Sequence, residues 1–326
     1  EVRHTASGAR RNKMMTRAQT GKDSGKHQAD TASPIHSRGP GPFITHRVHP
    51  LADGVHLVAS SRRHRKGLQP HRVPDAESAE RLTTLHRSAF RHLWAPRRLA
   101  WWVALLFAAG SALFTVGAAA ATWPDWGPAS LNDPFIQGRI FVIGAIFFTA
   151  AAALQWLEVL NGDVALALGR EAKPLWRWLG WCPRNLGYLA CTIQLIGTVM
   201  FNFNTVDAML TGLDARQEAL WIWAPNMAGC VCFLVASYLA FAEVSQGYSS
   251  FAVHNLSWWI AVVNLLGSVA FQLSALYSFG FPAPAGDASL WWASFYTAVG
   301  GLCFLLGSCL MIPEIFDEEQ VPADRE

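Results

Sequence analysis

Six stretches of this chain carry almost no charge, and their lengths are similar. From Leu99 to Thr122 no charged residue occurs, and at about 1.5 Å of rise per residue a helix of that length crosses a hydrocarbon core about 30 Å thick. Comparable runs cover Ile140 to Leu157, Leu186 to Val206, Ala219 to Ala242, Leu256 to Phe279 and Ala288 to Ile312. Turn-forming residues gather between them: Pro124, Asp125, Gly127 and Pro128, then Gly212 and Asp214, then Pro282, Pro284, Gly286 and Asp287. The pattern predicts an all-α polytopic membrane protein with six transmembrane helices.

The apolar runs also share internal marks. Gly144, Phe148 and Glu158 are spaced four and then ten residues apart, and the spacing recurs at Gly229, Phe233, Glu243 and at Gly300, Phe304, Glu314. About one hairpin upstream of each set stands a second one: Gly110, Ser111, Phe114; Gly197, Thr198, Phe201; Gly267, Ser268, Phe271. Asn185 and Leu186 also reappear as Asn255 and Leu256. Two marks repeating together predict three tandem, parallel-oriented helical hairpins, an internal repeat with pseudo-threefold symmetry about the membrane normal.

Charge divides the chain differently. Residues 1–98 hold 19 of the 26 Lys/Arg and 7 of the 23 Asp/Glu, so a formal net charge of +3 conceals a basic head and an acidic remainder. Residues 1–93 mix Arg, His, Gly, Pro, Ser and Thr, a composition that buries too little apolar surface to offset the entropy of ordering, so a mainly disordered cytoplasmic head is expected. Within it, Asp75 to Leu93 has the spacing of an amphipathic helix. The cluster Arg62, Arg63, His64, Arg65, Lys66 suits acidic lipid by charge alone, with nucleic acid the weaker partner. The predicted layout is the head at 1–93, hairpins at 94–162, 184–244 and 254–315, a basic connection at 163–183 and an acidic tail at 316–326. Positive charge in the head and in the connection carrying Arg170, Lys173, Arg177 and Arg184 predicts a multi-pass cell-membrane protein with both termini cytoplasmic. Tryptophans near the span ends, from Trp101 and Trp102 to Trp291 and Trp292, suit the headgroup interface.

Polar residues within the spans supply the candidate chemistry. Glu158, Glu243 and Glu314 fall at the cytoplasmic ends of the even-numbered spans, where a carboxylate needs water, a proton, a cation or a basic partner. Arg97, Arg184 and His254, at the entrances of the odd-numbered spans, are the partners that spacing offers for a clasp; simple interfacial placement and an ion or proton site are the alternatives. Gln194 and Asn202 lie eight positions apart on nearly one helical face, and Asn264 and Gln272 repeat that geometry. Such amides bond between helices or line a ligand path.

Chemistry of other kinds finds no footing. The six cysteines make no CxxC pair, no HExxH or phosphate loop occurs, and His254 is the only histidine after position 92. No catalytic, cofactor-binding or metal-ligating set emerges. The segments Asn185 to Asn202 and Asn255 to Gln272, with their Asn-Leu, Gly-Ser/Thr and Phe marks, resemble the YrhK-like family of small bacterial membrane domains. That resemblance implies membrane embedding and brings no catalytic residues with it. The expected role is structural, assembly or sensory, with a membrane-protein partner or lipid as the binding surface; a small-solute or ion transporter using the repeated polar residues is the alternative.

Overall fold

The computed structural model describes residues 36–50, 56–66, 71–73, 93–167, 176–249, 251–253, 255–279 and 287–316. The amphipathic helix expected up to Leu93 therefore falls almost wholly outside the described residues, as do His254, residues 168–175 and the tail from 317.

Part of the head differs from expectation. Residues 36–73 contain a four-stranded antiparallel meander, β1 (His36–Arg38), β2 (His46–Pro50), β3 (His56–Ser60) and β4 (His71–Val73), in sequential order. Val48 and Val58 face each other in the β2–β3 register and are both buried. Gly39, Pro40, Gly41 and Pro42, which suggested disorder by composition, lie in the connection between β1 and β2 instead. At Gly39 a Cβ would run into the Phe43 carbonyl, so only glycine fits. β3 runs directly into a short helix, α1 (Ser61–Arg65), which contains most of the basic cluster.

The six apolar runs are helices: α2 (Leu99–Thr122), α3 (Pro134–Ala167), α4 (Leu186–Asp207), α5 (Ala215–Val244), α6 (Leu256–Ser278) and α7 (Asp287–Glu314). Each is long and apolar enough to cross a membrane. α3 extends well past the predicted Ile140 to Leu157 at both ends, because nothing interrupts the backbone ladder where hydrophobicity falls. Pro134 sits in its first turn, where the missing N–H costs nothing, and the Asp133 carboxylate accepts from the Phe135 N–H at 2.8 Å. The repeated asparagines are N-caps. Asn185 Oδ1 accepts from Tyr188 N–H and Asn255 Oδ1 from Ser257 N–H, each satisfying a donor that the first helical turn leaves open. α5 opens with an Asp214–Gln217 capping box and a π-helical stretch over Glu218–Trp223 before Pro225. There Asn204 of α4 donates to the Ile222 carbonyl at 2.9 Å, satisfying an acceptor in the distorted region.

Each span packs against the next in sequence, and α7 returns to α2, so the six close into a ring. Glycines set the closest approaches. A Cβ on Gly110 would stand 3.0 Å from the Gly144 carbonyl; on Gly197, 3.2 Å from that of Gly229; on Gly267, 3.2 Å from that of Gly300. Gly301 brings α7 equally near to α2, where a Cβ would meet Thr115 Oγ1 at 2.7 Å. Small residues of this kind let dispersion contacts between backbones hold helices together in lipid, where burial of apolar surface gives no advantage.

The interior of the ring is aromatic. Phe114, Phe201 and Phe271, from α2, α4 and α6, touch one another with centroids 6.0 to 6.2 Å apart. Each also packs on the phenylalanine of the following helix: Phe148 at 5.2 Å, Phe233 at 5.0 Å and Phe304 at 5.4 Å. Polar stitches cross the seams between spans: Trp156 to Thr192, Ser237 with Ser268, Ser274 with Thr297, and Trp291 to the Thr122 carbonyl.

Candidate functional site

At the end of the ring where α3, α5 and α7 finish, the three glutamates are buried. Glu158 is 7% exposed, Glu243 3% and Glu314 4%. Carboxylates out of water require compensation, and an uncompensated one costs several kcal/mol. For Glu243 and Glu314, α1 supplies bonding partners. This helix packs against α3 and α5 and bonds to the end of α7, touching all three glutamate-bearing spans.

Glu314 takes bonds from three side chains. Arg62 Nε donates to its Oε1 at 2.7 Å and Arg62 Nη2 to its Oε2 at 3.1 Å, a two-pronged guanidinium–carboxylate pair. Lys66 Nζ donates to Oε2 as well, and Ser257 Oγ, from the first turn of α6, donates to Oε1 at 2.5 Å. Glu243 accepts from Ser61 Oγ at 2.7 Å. Burial pushes the Lys66 ammonium below its ordinary pKa, and the charge of Glu314, with a further pull from Glu158, works against that shift. Arg62 and Lys66 are themselves buried. Among the described residues no group of three or more His, Cys, Asp or Glu side chains is arranged to hold a metal ion.

Among the described residues, the basic partners of Glu314 come from α1 and Lys66 just after it, not from a span entrance. Arg97 and Arg184 are exposed, and His254 lies outside the described residues. Arg98, the neighbour of Arg97, donates to the Ile315 carbonyl at 3.0 Å, just past the end of α7. The physical reason is reach and rigidity: residues at a span entrance are fixed on the rim, whereas a separate helix can enter from the end and place two cations on one carboxylate.

The four amides do not share one environment. Asn202 Nδ2 donates across to Thr149 Oγ1 at 2.5 Å and to the Thr198 carbonyl at 3.1 Å. Asn264 lies against Gly307 of α7, where any Cβ would collide with its amide. Gln272 Nε2 points at Met227 Sδ, 3.0 Å away, and its Oε1 is buried with no partner. Gln194 is half-buried. Three of the four are thus set against a neighbouring helix.

The same end of the ring holds two further aromatic devices. Trp101 Nε1 donates to the Leu93 carbonyl at 2.9 Å and Tyr188 Oη to the Gly180 carbonyl at 2.8 Å, each reaching back eight residues to tie down the chain that enters its span. Both rings are buried, as is that of Trp258. Asn161 clamps the α3–α4 connection, donating to the Arg177 carbonyl at 2.9 Å while its Oδ1 accepts from Arg177 N–H at 2.7 Å.

These features define an integral membrane protein of six spans whose carboxylate-lined end is closed by a basic helix of its own chain. Comparison with family models, with curated proteins and with solved structures finds no match to it.

Proposed function

We propose that the protein has a structural, assembly or sensory role in a cell membrane, built as three tandem hairpins of one orientation with both termini cytoplasmic. The observation that carries this reading is the filled interior of the ring, where six phenylalanines meet across its centre. A solute path needs side chains that replace water, and phenylalanine replaces none. Three of the amides that such a path would use are engaged at helix seams instead. The matching Gly–Gly approaches of α2–α3, α4–α5 and α6–α7 support an internal repeat. Orientation rests on the basic head and on Arg177 and Arg184.

Reconstitution tests the reading against transport. Equally folded wild type and Glu243→Gln in tight vesicles should show no protein-dependent flux of protons, sodium or potassium, while E243Q has a lower folded yield. A flux in wild type that disappears in E243Q at unchanged yield reverses the assignment.

A further inference from the structure

The junction between α1 and the bundle includes a set of side-chain bonds. Its bonds are polar or ionic: Ser61 to Glu243, and Arg62 and Lys66 to Glu314. The apolar clusters of the bundle among the described residues contain no residue of 36–73, and Val48 and Val58 oppose each other in the β2–β3 register. Such a junction opens at little net cost. The Coulomb attraction gained on docking is roughly cancelled by the dehydration of both partners, so separation returns each to water without a large penalty. An apolar seam lacks that balance.

The location adds a second partner. α1 sits where three spans end, the depth at which headgroups lie if those spans cross a bilayer, and the segment Arg62, Arg63, His64, Arg65, Lys66 is the densest basic run in the chain. We propose that α1 is a displaceable latch, whose basic side chains exchange between the bundle's carboxylate layer and the headgroups of acidic lipids. In the closed form Arg62 and Lys66 occupy Glu314. In the open form they pair with anionic headgroups, and Glu158, Glu243 and Glu314 face water. The inference goes beyond the proposed function, since a latch of this kind can serve a scaffold or a transporter alike.

The test uses the full chain with its native cysteines replaced and spin labels at two exposed positions, Arg47→Cys on β2 and Arg97→Cys before α2. Pulsed electron resonance then reads the distance between them in vesicles. Phosphatidylcholine alone should give one short distance. Added phosphatidylglycerol should raise a second, longer population, its ratio to the first growing by about fivefold for each basic side chain that reaches the surface, and high salt should reverse the change. Glu314→Gln should raise the longer population in phosphatidylcholine, and an R62Q/K66Q double variant should raise it there too while responding less to phosphatidylglycerol than the protein with both side chains. A single distribution in the doubly labelled protein with its latch residues intact, unchanged by acidic lipid, overturns the latch. That arm needs no variant in the carboxylate layer, so a misfolded E314Q leaves the decision intact.

Discussion

Arg62 and Glu314, 252 positions apart in the chain, meet through two hydrogen bonds of 2.7 and 3.1 Å in a buried setting. The pair joins a soluble-looking sheet to the last turn of the last span. Its value lies less in net stability than in exclusivity, because a cation that leaves water here must find this carboxylate.

Removing one partner should therefore be costly to docking. Glu314→Gln leaves Arg62 and Lys66 facing a neutral amide, a loss of about 3 to 5 kcal/mol for an uncompensated buried charge. Limited proteolysis in detergent should show the region of β1 to β4 cut far faster in E314Q, with the spans still protected. In a double-mutant cycle, Arg62→Gln combined with E314Q should cost less than the sum of the two; strict additivity means that the side chains do not interact.

Glycine substitutions should rank by what the new methyl meets. On Gly229 a Cβ lies 2.5 Å from Phe201 Cδ2 and 2.7 Å from Cε2, whereas on Gly267 the nearest atoms are Cys303 Cβ at 3.0 Å and the Gly300 carbonyl at 3.2 Å. Gly229→Ala should lose about 1 to 3 kcal/mol through overpacking of the phenylalanine cluster, and more than Gly267→Ala. Adding Phe201→Leu should recover part of the loss in thermal melts followed by tryptophan fluorescence. Equal melting of the two alanine variants contradicts the packing described.

Much of this was legible in the residues. The absence of charge over Leu99 to Thr122 is enough to define a span, and the recurrence of Gly110, Gly197 and Gly267 marks the helix faces that approach most closely. Glu158, Glu243 and Glu314 could be placed at one end of the ring, since depth in a bilayer follows from counting residues. Their partner could not be found in the same way. Arg62 reaches Glu314 only because β3 ends where α1 begins, and the short strands His46–Pro50 and His56–Ser60 acquire their register from each other, not from any local period. The run Arg62 to Lys66 was visible as charge, yet charge does not say whether it meets lipid, nucleic acid or three carboxylates. The N-cap role of Asn185 and Asn255 had a readable signal, an asparagine directly before an apolar run.

Gln272 offers a sharper test of the amides. Its Oε1 is buried and unpartnered, and Nε2 has only a thioether. Gln272→Leu should leave stability unchanged or raise it by about 1 kcal/mol, because an unsatisfied buried acceptor is removed. Asn202→Leu, which breaks a bond to Thr149, should instead cost about 0.6 kcal/mol. Chemical denaturation in mixed micelles distinguishes these signs; marked destabilisation by Q272L points to a partner for the amide outside this chain.

Orientation is checked by cysteine accessibility in a background lacking native cysteines. Reagent added outside should reach positions in 123–133, and should reach residue 177 only after the membrane is opened. Labelling of 177 from outside alone inverts the topology.

The distance in sequence between Arg62 and Glu314 also sets an order in time. At about 5 to 20 residues per second of synthesis, Glu314 is made roughly 10 to 50 s after Arg62. Throughout that interval the basic helix has no Glu314 to bind, and the sheet that carries it waits beside a growing set of spans. Closure becomes available only when α7 has been delivered to its full length. The contact between the head and Glu314 is thus a mark of completed insertion, one that a chain stalled after five helices has no means to make.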